Sequence, residues 1–268
     1  MKAEESIQMI VFDWAGTTVD YGSGAPVEVF ERVFAKEGIR FTKQEINGPM
    51  GMEKKTHIRA LLNTDSGNRQ WEQTHGRQWN EEDVERLYQD FEEELVQIVA
   101  GRSVPIPGVV DTVKRLRESG LKIGSTTGYH SRMMKEVIPK AEQLGYRADC
   151  VVTPDVVGSG RPGPFMIFEC MRQLNVYPPC AVIKVGDTVA DILEGKNAGV
   201  WSVGILTGSN LLGLSEEEYK EMDPETLIQR KEDARRRYLE AGADMVIDSI
   251  CELPDAVAAL NERLKEEK

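Results

Sequence analysis

Four polar clusters hold residue types suited to phosphoryl chemistry: FDWAGTTVD, GSTTGY, TPDVVGSGRPGP and KVGDTVAD. In the first, Asp13 can attack phosphorus and form an acyl phosphate. Taken alone it is also a candidate cap for the turn that follows. Gly16 and Thr17 suit a turn that exposes backbone N–H groups to phosphate oxygens. In the second, Thr127 and Gly128 offer a hydroxyl and an N–H to a phosphoryl oxygen, with Tyr129 next in line to border the same cleft. Arg161 sits in a loop stiffened by Gly and Pro, where a guanidinium neutralises charge developing on a transferring phosphoryl group. Asp187 and Asp191 lie four apart, so a helix starting near Thr188 brings both towards one centre. Mg²⁺ takes hard oxygen ligands, commonly one or two carboxylates with phosphate and water. Asp13 with Asp187 meets that need, and Asp191 stands behind them or acts through water.

These clusters need elements to hold them. Each falls at the end of an apolar run that reads as a buried strand: IQMIVF, LKIGS, CVVT and AVIKVGD. Two further strands, WSVGIL and DMVID, follow. Helical segments alternate with the strands after Gly108, which argues an α/β fold with a mostly parallel sheet. In such sheets ligands bind beyond the C-terminal strand ends, where all four clusters lie. The first strand is separated from this series by about eighty residues of helical pattern. They include PVEVFERVFAKEG, with Val29, Phe30, Val33 and Phe34 on one face, and the long amphipathic EEDVERLYQDFEEELVQIV. The expected organisation is a core of residues 1–20 and 104–268 with a helical cap at 21–103. The stretch LLNTDSGNRQWEQTHGRQWN matches no pattern; Trp71 and Trp79 within it are candidates for packing cap helices.

The chain has 268 residues, 40% hydrophobic and 29% charged, enough for a substantial core. A net charge of −12 disfavours a general nucleic-acid role. The four cysteines form no close CxxC pair and there are three histidines, a poor basis for structural zinc; free, buried cysteine is the expectation for all four. No signal peptide or membrane-length apolar run is evident, so the expectation is a cytoplasmic protein without membrane or nucleic-acid partners.

In this order, the clusters resemble the motifs of the haloacid dehalogenase superfamily, mostly phosphatases with a Rossmann-like core and a mobile cap. The resemblance implies a nucleophilic Asp13, phosphate binding by Thr127, Gly128 and Arg161, and Mg²⁺ held by Asp13, the Ala15 backbone carbonyl and Asp187, with Asp191 in support. The chain departs from the usual DxD motif: where a second aspartate protonates the leaving group and later activates water, it has Ala15. The phosphonatase branch shares that departure. VIFDWAGTTVDYG and PMGMEKKTHIRAL are similar to that branch's first motif and to its cap loop, whose lysine forms a Schiff base. By position that lysine is Lys54, not Lys55. Met50 belongs to the same loop and either packs on Lys54 or the bound aldehyde, or is plain core. His57, three residues on, shares a helix face with Lys54; the resemblance marks it as a proton shuttle or a member of a water network, with a structural hydrogen-bond partner as the alternative. The likeness covers essentially the full length and implies a homodimer.

The chemistry supports the pairing of Ala15 with Lys54. Cleaving P–C leaves a carbanion, unless an electron sink takes the charge. A protonated imine two atoms away is such a sink. The activity that the resemblance implies is hydrolysis of phosphonoacetaldehyde to acetaldehyde and phosphate. A magnesium-dependent phosphatase or phosphomutase of the same superfamily is the alternative, and a non-catalytic binding domain is a third reading.

Overall fold

The computed structural model describes residues 6–266. Its core is a six-stranded parallel sheet of order β3-β2-β1-β4-β5-β6. The strands are β1 (Met9–Phe12), β2 (Lys122–Thr126), β3 (Cys150–Val152), β4 (Val182–Gly186), β5 (Trp201–Ile205) and β6 (Met245–Ile247). They coincide with the six expected from the apolar runs. Helices α6 (Val109–Glu118), α7 (Ser131–Gln143), α8 (Pro154–Val157), α9 (Phe165–Leu174), α10 (Val189–Ala198), α11 (Glu216–Glu221), α12 (Pro224–Glu240) and α13 (Leu253–Glu266) join or follow the strands. This is a Rossmann-like order with a helical cap inserted after β1.

Because successive side chains of a strand point to opposite faces, β1 serves two cores. Met9 and Val11 pack with Met166, Ile167 and Cys170 of α9. Ile10 and Phe12 join a larger cluster with Val113 of α6 and Leu260 of α13. A fully parallel sheet covered on both faces requires such unbroken apolar strands. β1 lies between β2 and β4, and the strand order reverses there, leaving a crevice at its C-terminal end.

The cap comprises α1 (Gly24–Lys36), α2 (Lys43–Asn47), α3 (Lys54–Leu62), α4 (Asp65–His75) and α5 (Glu81–Arg102). The apolar face of α1 is consumed within the chain: the Phe30 ring lies 4.3 Å from Phe91 and 4.1 Å from His57, and Phe34 lies 4.9 Å from Phe41. The unassigned stretch contains α4. Thr64 caps it by accepting from Gly67 N, and Gly76 ends it at φ 67°. Trp71 is buried there against the His75 ring, 4.1 Å away. Two linkers run side by side between cap and core, joined by Ile106 N to Thr18 O at 2.9 Å and Asp20 N to Val104 O at 3.2 Å. Cys150 and Cys170 are buried, but Cys180 and Cys251 are exposed, which corrects the expectation of four buried thiols; both lie in short 3₁₀ turns outside the strands and long helices. Among the described residues no helix is long and apolar enough to cross a membrane.

Candidate active site

β1 and β4 pair in parallel register, Phe12 opposite Val185, so Asp13 and Asp187 emerge side by side. Asp13 N donates to Val185 O at 2.9 Å, fixing the exit of the chain from the strand. Helix α10 starts immediately after Thr188, whose hydroxyl and backbone N–H form a capping box with Asp191. The cap of this helix is thus Thr188, and Asp187 is left free for other work. Oxygens of Asp13, Asp187 and Asp191 lie within 4.8 Å of one another, all buried.

The turn after Asp13 differs from the sequence expectation. Gly16 N is spent on Val19 O at 2.8 Å and Asp20 O at 3.1 Å, and Thr17 N on Trp14 O at 3.2 Å. Neither N–H is presented to a phosphate, because the turn closes on itself. Gly16 matters sterically instead: at φ 82° a Cβ would lie 2.1 Å from Asp187 Oδ2. Thr17 acts through its hydroxyl, which donates to Asp187 Oδ1 at 3.0 Å.

Two buried cations cross the cluster. Arg161 contacts Asp13 Oδ1 at 2.6 Å, Asp191 Oδ1 at 2.9 Å and Glu194 Oε2 at 2.9 Å. Lys184 contacts Asp191 Oδ1 at 2.9 Å, Glu194 Oε2 at 3.2 Å and Thr126 Oγ1 at 2.8 Å. Sequence reasoning missed Lys184 and Glu194. Their signals were a lone lysine inside the apolar run AVIKV and an acid three residues beyond Asp191 on the same helix face. Four buried carboxylates face these two cations, an excess of negative charge that a divalent cation would cancel. The side-chain pKa values carry the same message. Burial raises Asp187 well above the usual carboxylate range, reinforced by Asp13 and Asp191. Burial likewise lifts Asp13, with Arg161 opposing and Asp191 adding. Asp191 is also penalised by burial, but Arg161 and Lys184 outweigh that and hold it below its usual value. The donor set is all carboxylate oxygen, which fits a hard cation.

The cap contributes a different environment. Lys54 is the first residue of α3, fully buried, and enters the same small cavity as Asp13, Ala15, Thr127, Gly128, Tyr129 and Arg161. Its Nζ lies 3.7 Å from Met50 Sδ and 5.7–5.9 Å from the ring centres of Phe30, Phe91 and Tyr129. No carboxylate among the described residues salt-bridges it. Burial therefore lowers its pKa to about 8, with Asp13 pulling upward and Arg161 downward. Lys55 points away, ion-paired with Glu85 at 2.6 Å. His57 is buried against Phe30, and burial together with Lys54 holds its imidazole well below the ordinary range. The Ile46 backbone opposes this shift, and among the described residues neither ring nitrogen completes a well-formed hydrogen bond. The Tyr129 hydroxyl is also buried, without a hydrogen-bond partner among the described residues, and burial keeps it protonated.

The cavity itself measures only about 20 Å³, room for a water. A larger cavity of about 960 Å³ lies between α2 and α11–α12. It contains none of the three carboxylates, so chemistry and not size locates the site.

Comparison with known proteins agrees. Residues 7–199 match the haloacid dehalogenase-like hydrolase family. The chain is 47% identical over 260 residues to a phosphonoacetaldehyde hydrolase of Parabacteroides distasonis, covering 97% of this chain and 98% of that one. It is 46% identical to the phosphonoacetaldehyde hydrolase of Bacillus cytotoxicus, over 94% and 95% of the two chains. A crystal structure of a phosphonoacetaldehyde hydrolase-like protein from Oleispira antarctica superposes with a TM-score of 0.96 at 37% identity, over 99% of this chain and 96% of that one. The chain therefore belongs to the haloacid dehalogenase-like hydrolases and is closely related to the phosphonoacetaldehyde hydrolases.

Proposed function

We propose that this chain hydrolyses the carbon–phosphorus bond of phosphonoacetaldehyde, giving acetaldehyde and phosphate. The observation that carries the reading is one cavity holding a carboxylate at Asp13, a lysine of lowered pKa at Lys54, and Ala15 where an acid would serve an ester. With a pKa of about 8, roughly a tenth of Lys54 is free amine at neutral pH, several hundredfold more than for an ordinary lysine. The amine adds to the aldehyde, water leaves, and a protonated imine forms. Asp13 then attacks phosphorus. The P–C electron pair moves into a C–C double bond and neutralises the iminium nitrogen, yielding an enamine and an aspartyl phosphate. Water hydrolyses the aspartyl phosphate. The enamine takes a proton at carbon, and hydrolysis of the imine releases acetaldehyde and restores Lys54. No alkoxide leaves in the P–C cleavage, so that step tolerates the missing acid at Ala15.

His57 is neutral and three residues from Lys54, suited to relay protons during imine formation. Met50 orients Lys54; Tyr129 borders the aldehyde end. Thr127, Gly128 and Arg161 receive the phosphonate oxygens. Asp13, the Ala15 carbonyl and Asp187 would hold Mg²⁺, with Asp191, whose Oδ1 also meets Arg161 and Lys184, supporting them from behind or through water. Bound there, it supplies Lewis-acid polarisation of the phosphoryl group.

We take residues 1–20 and 104–268 as the core and 21–103 as the cap. The cavity is too small for the substrate, so the cap opens for entry and closes to exclude water. The working form is a cytoplasmic homodimer, a point for size-exclusion chromatography with light scattering. The activity itself is tested by assaying acetaldehyde and phosphate with and without Mg²⁺. Equal amounts of both products, dependent on Mg²⁺, are expected; turnover of a phosphomonoester that survives Lys54→Arg would favour a phosphatase or phosphomutase instead.

A further inference from the structure

The cap touches the metal-site carboxylates at second hand in two places. Asn47, the last residue of α2, accepts a 2.8 Å hydrogen bond at Oδ1 from Asn210 Nδ2. Asn210 is buried in the turn after β5, and its own backbone N–H donates to Asp187 Oδ2 at 2.8 Å. Gly51, four residues beyond Asn47, lies against Thr188 so closely that a Cβ would stand 2.3 Å from Thr188 Oγ1. That hydroxyl donates to Asp191 Oδ2 at 2.5 Å. The loop between these contacts carries Met50, and Lys54 follows it. The segment that delivers the lysine is thus seated, at both ends, on the groups that hold Asp187 and Asp191.

We propose that Asn47 and Asn210 form a closure latch, and that both are positioning residues coupling cap seating to the cation site. The proposal rests on the metal assignment above. A seated cap fixes Asn210, and through its N–H fixes Asp187 for the cation. Coupling between two binding events is reciprocal, so cation binding must favour the seated cap by the same factor. Lys54 is then held over the reaction centre only when that centre is organised. The two amide side chains carry no charge, so the coupling does not depend on salt or on pH near neutrality.

The test uses Mg²⁺ alone on the intact chain, with hydrogen exchange of residues 48–53 as the readout and calorimetry to measure Mg²⁺ binding. In the wild type, saturating Mg²⁺ should slow exchange of this segment about fivefold, at the low end of typical couplings. Asn47→Ala should abolish that protection while still binding Mg²⁺. Asn47→Asp, which keeps an accepting oxygen for Asn210 Nδ2, should restore most of it. A purely structural role would not respond to the cation. Mg²⁺ binding with equal protection in wild type and Asn47→Ala, or with no protection in either, overturns the latch alone. No Mg²⁺ binding in the wild type overturns both the latch and the metal assignment beneath it.

Discussion

Two lysines are buried at this site, and their surroundings are opposite. Lys184, inside β4, is fully enclosed by Asp191, Glu194 and Thr126. Lys54, at the start of α3, meets a thioether and three aromatic rings. The first environment answers the cost of burying charge with partners; the second withholds them. In the proposed reaction the core edge keeps charges in place around a phosphonate, whereas the cap makes a lysine give up its proton. Burial alone therefore says little about a lysine's role, and what touches Nζ decides it.

The sharpest way to break this contrast is to remove each amine in turn. Lys54→Met, and Lys54→Arg with its permanent charge, should each lower kcat/KM by at least about 10³-fold, since neither can form an imine. Asp13→Asn should do the same in a phosphate-release assay, while leaving borohydride-trappable imine at Lys54 intact. Lys184→Met should act on stability: it strips a partner from two buried carboxylates and should cost about 3–5 kcal/mol in urea unfolding.

Lys54→Met should have the opposite sign. A lysine whose folded pKa is about 8, against 10.5 as the ordinary value, binds fewer protons folded than unfolded between those values. Stability from this group therefore rises with pH across that window and is lacking below it. At neutral pH Lys54→Met should stabilise the chain by up to about 3 kcal/mol and flatten the rise between pH 8 and 10.5. The same pKa predicts a kcat/KM profile that climbs through an inflection near pH 8, free amine being the reactive form. Phe91→Leu is the mildest probe. It removes one ring face, worth about 0.5–2 kcal/mol to a cation, and should move that inflection to lower pH by about 0.4–1.5 units.

The sheet was readable because buried parallel strands must be nearly all apolar, so each run such as IQMIVF and its polar end stood out. The site followed, since Asp13, Thr127 and Asp187 directly follow β1, β2 and β4, and Arg161 lies in the loop beyond β3 and α8. Other parts lay outside what a linear pattern reveals. Lys184 hides within a strand that would otherwise be wholly apolar, and its meaning depends on Asp191 and Glu194 reaching it from α10. The N–H groups of Gly16 and Thr17 were expected to face phosphate, but the turn satisfies them internally. Helix α4 has a polar surface and one buried tryptophan, too little periodicity to announce itself, although Thr64 and Gly76 marked its ends. The contact between Asn47 and Asn210 joins residues 163 apart and has no local signature.

The central claim, that one cavity combines imine formation at Lys54 with phosphoryl transfer to Asp13, is tested most directly by borohydride reduction during turnover of phosphonoacetaldehyde, followed by peptide mass mapping. The account predicts a two-carbon adduct on Lys54, and on no other lysine, with activity lost in proportion to labelling. Full phosphate release from an active preparation with no adduct at Lys54 would contradict it.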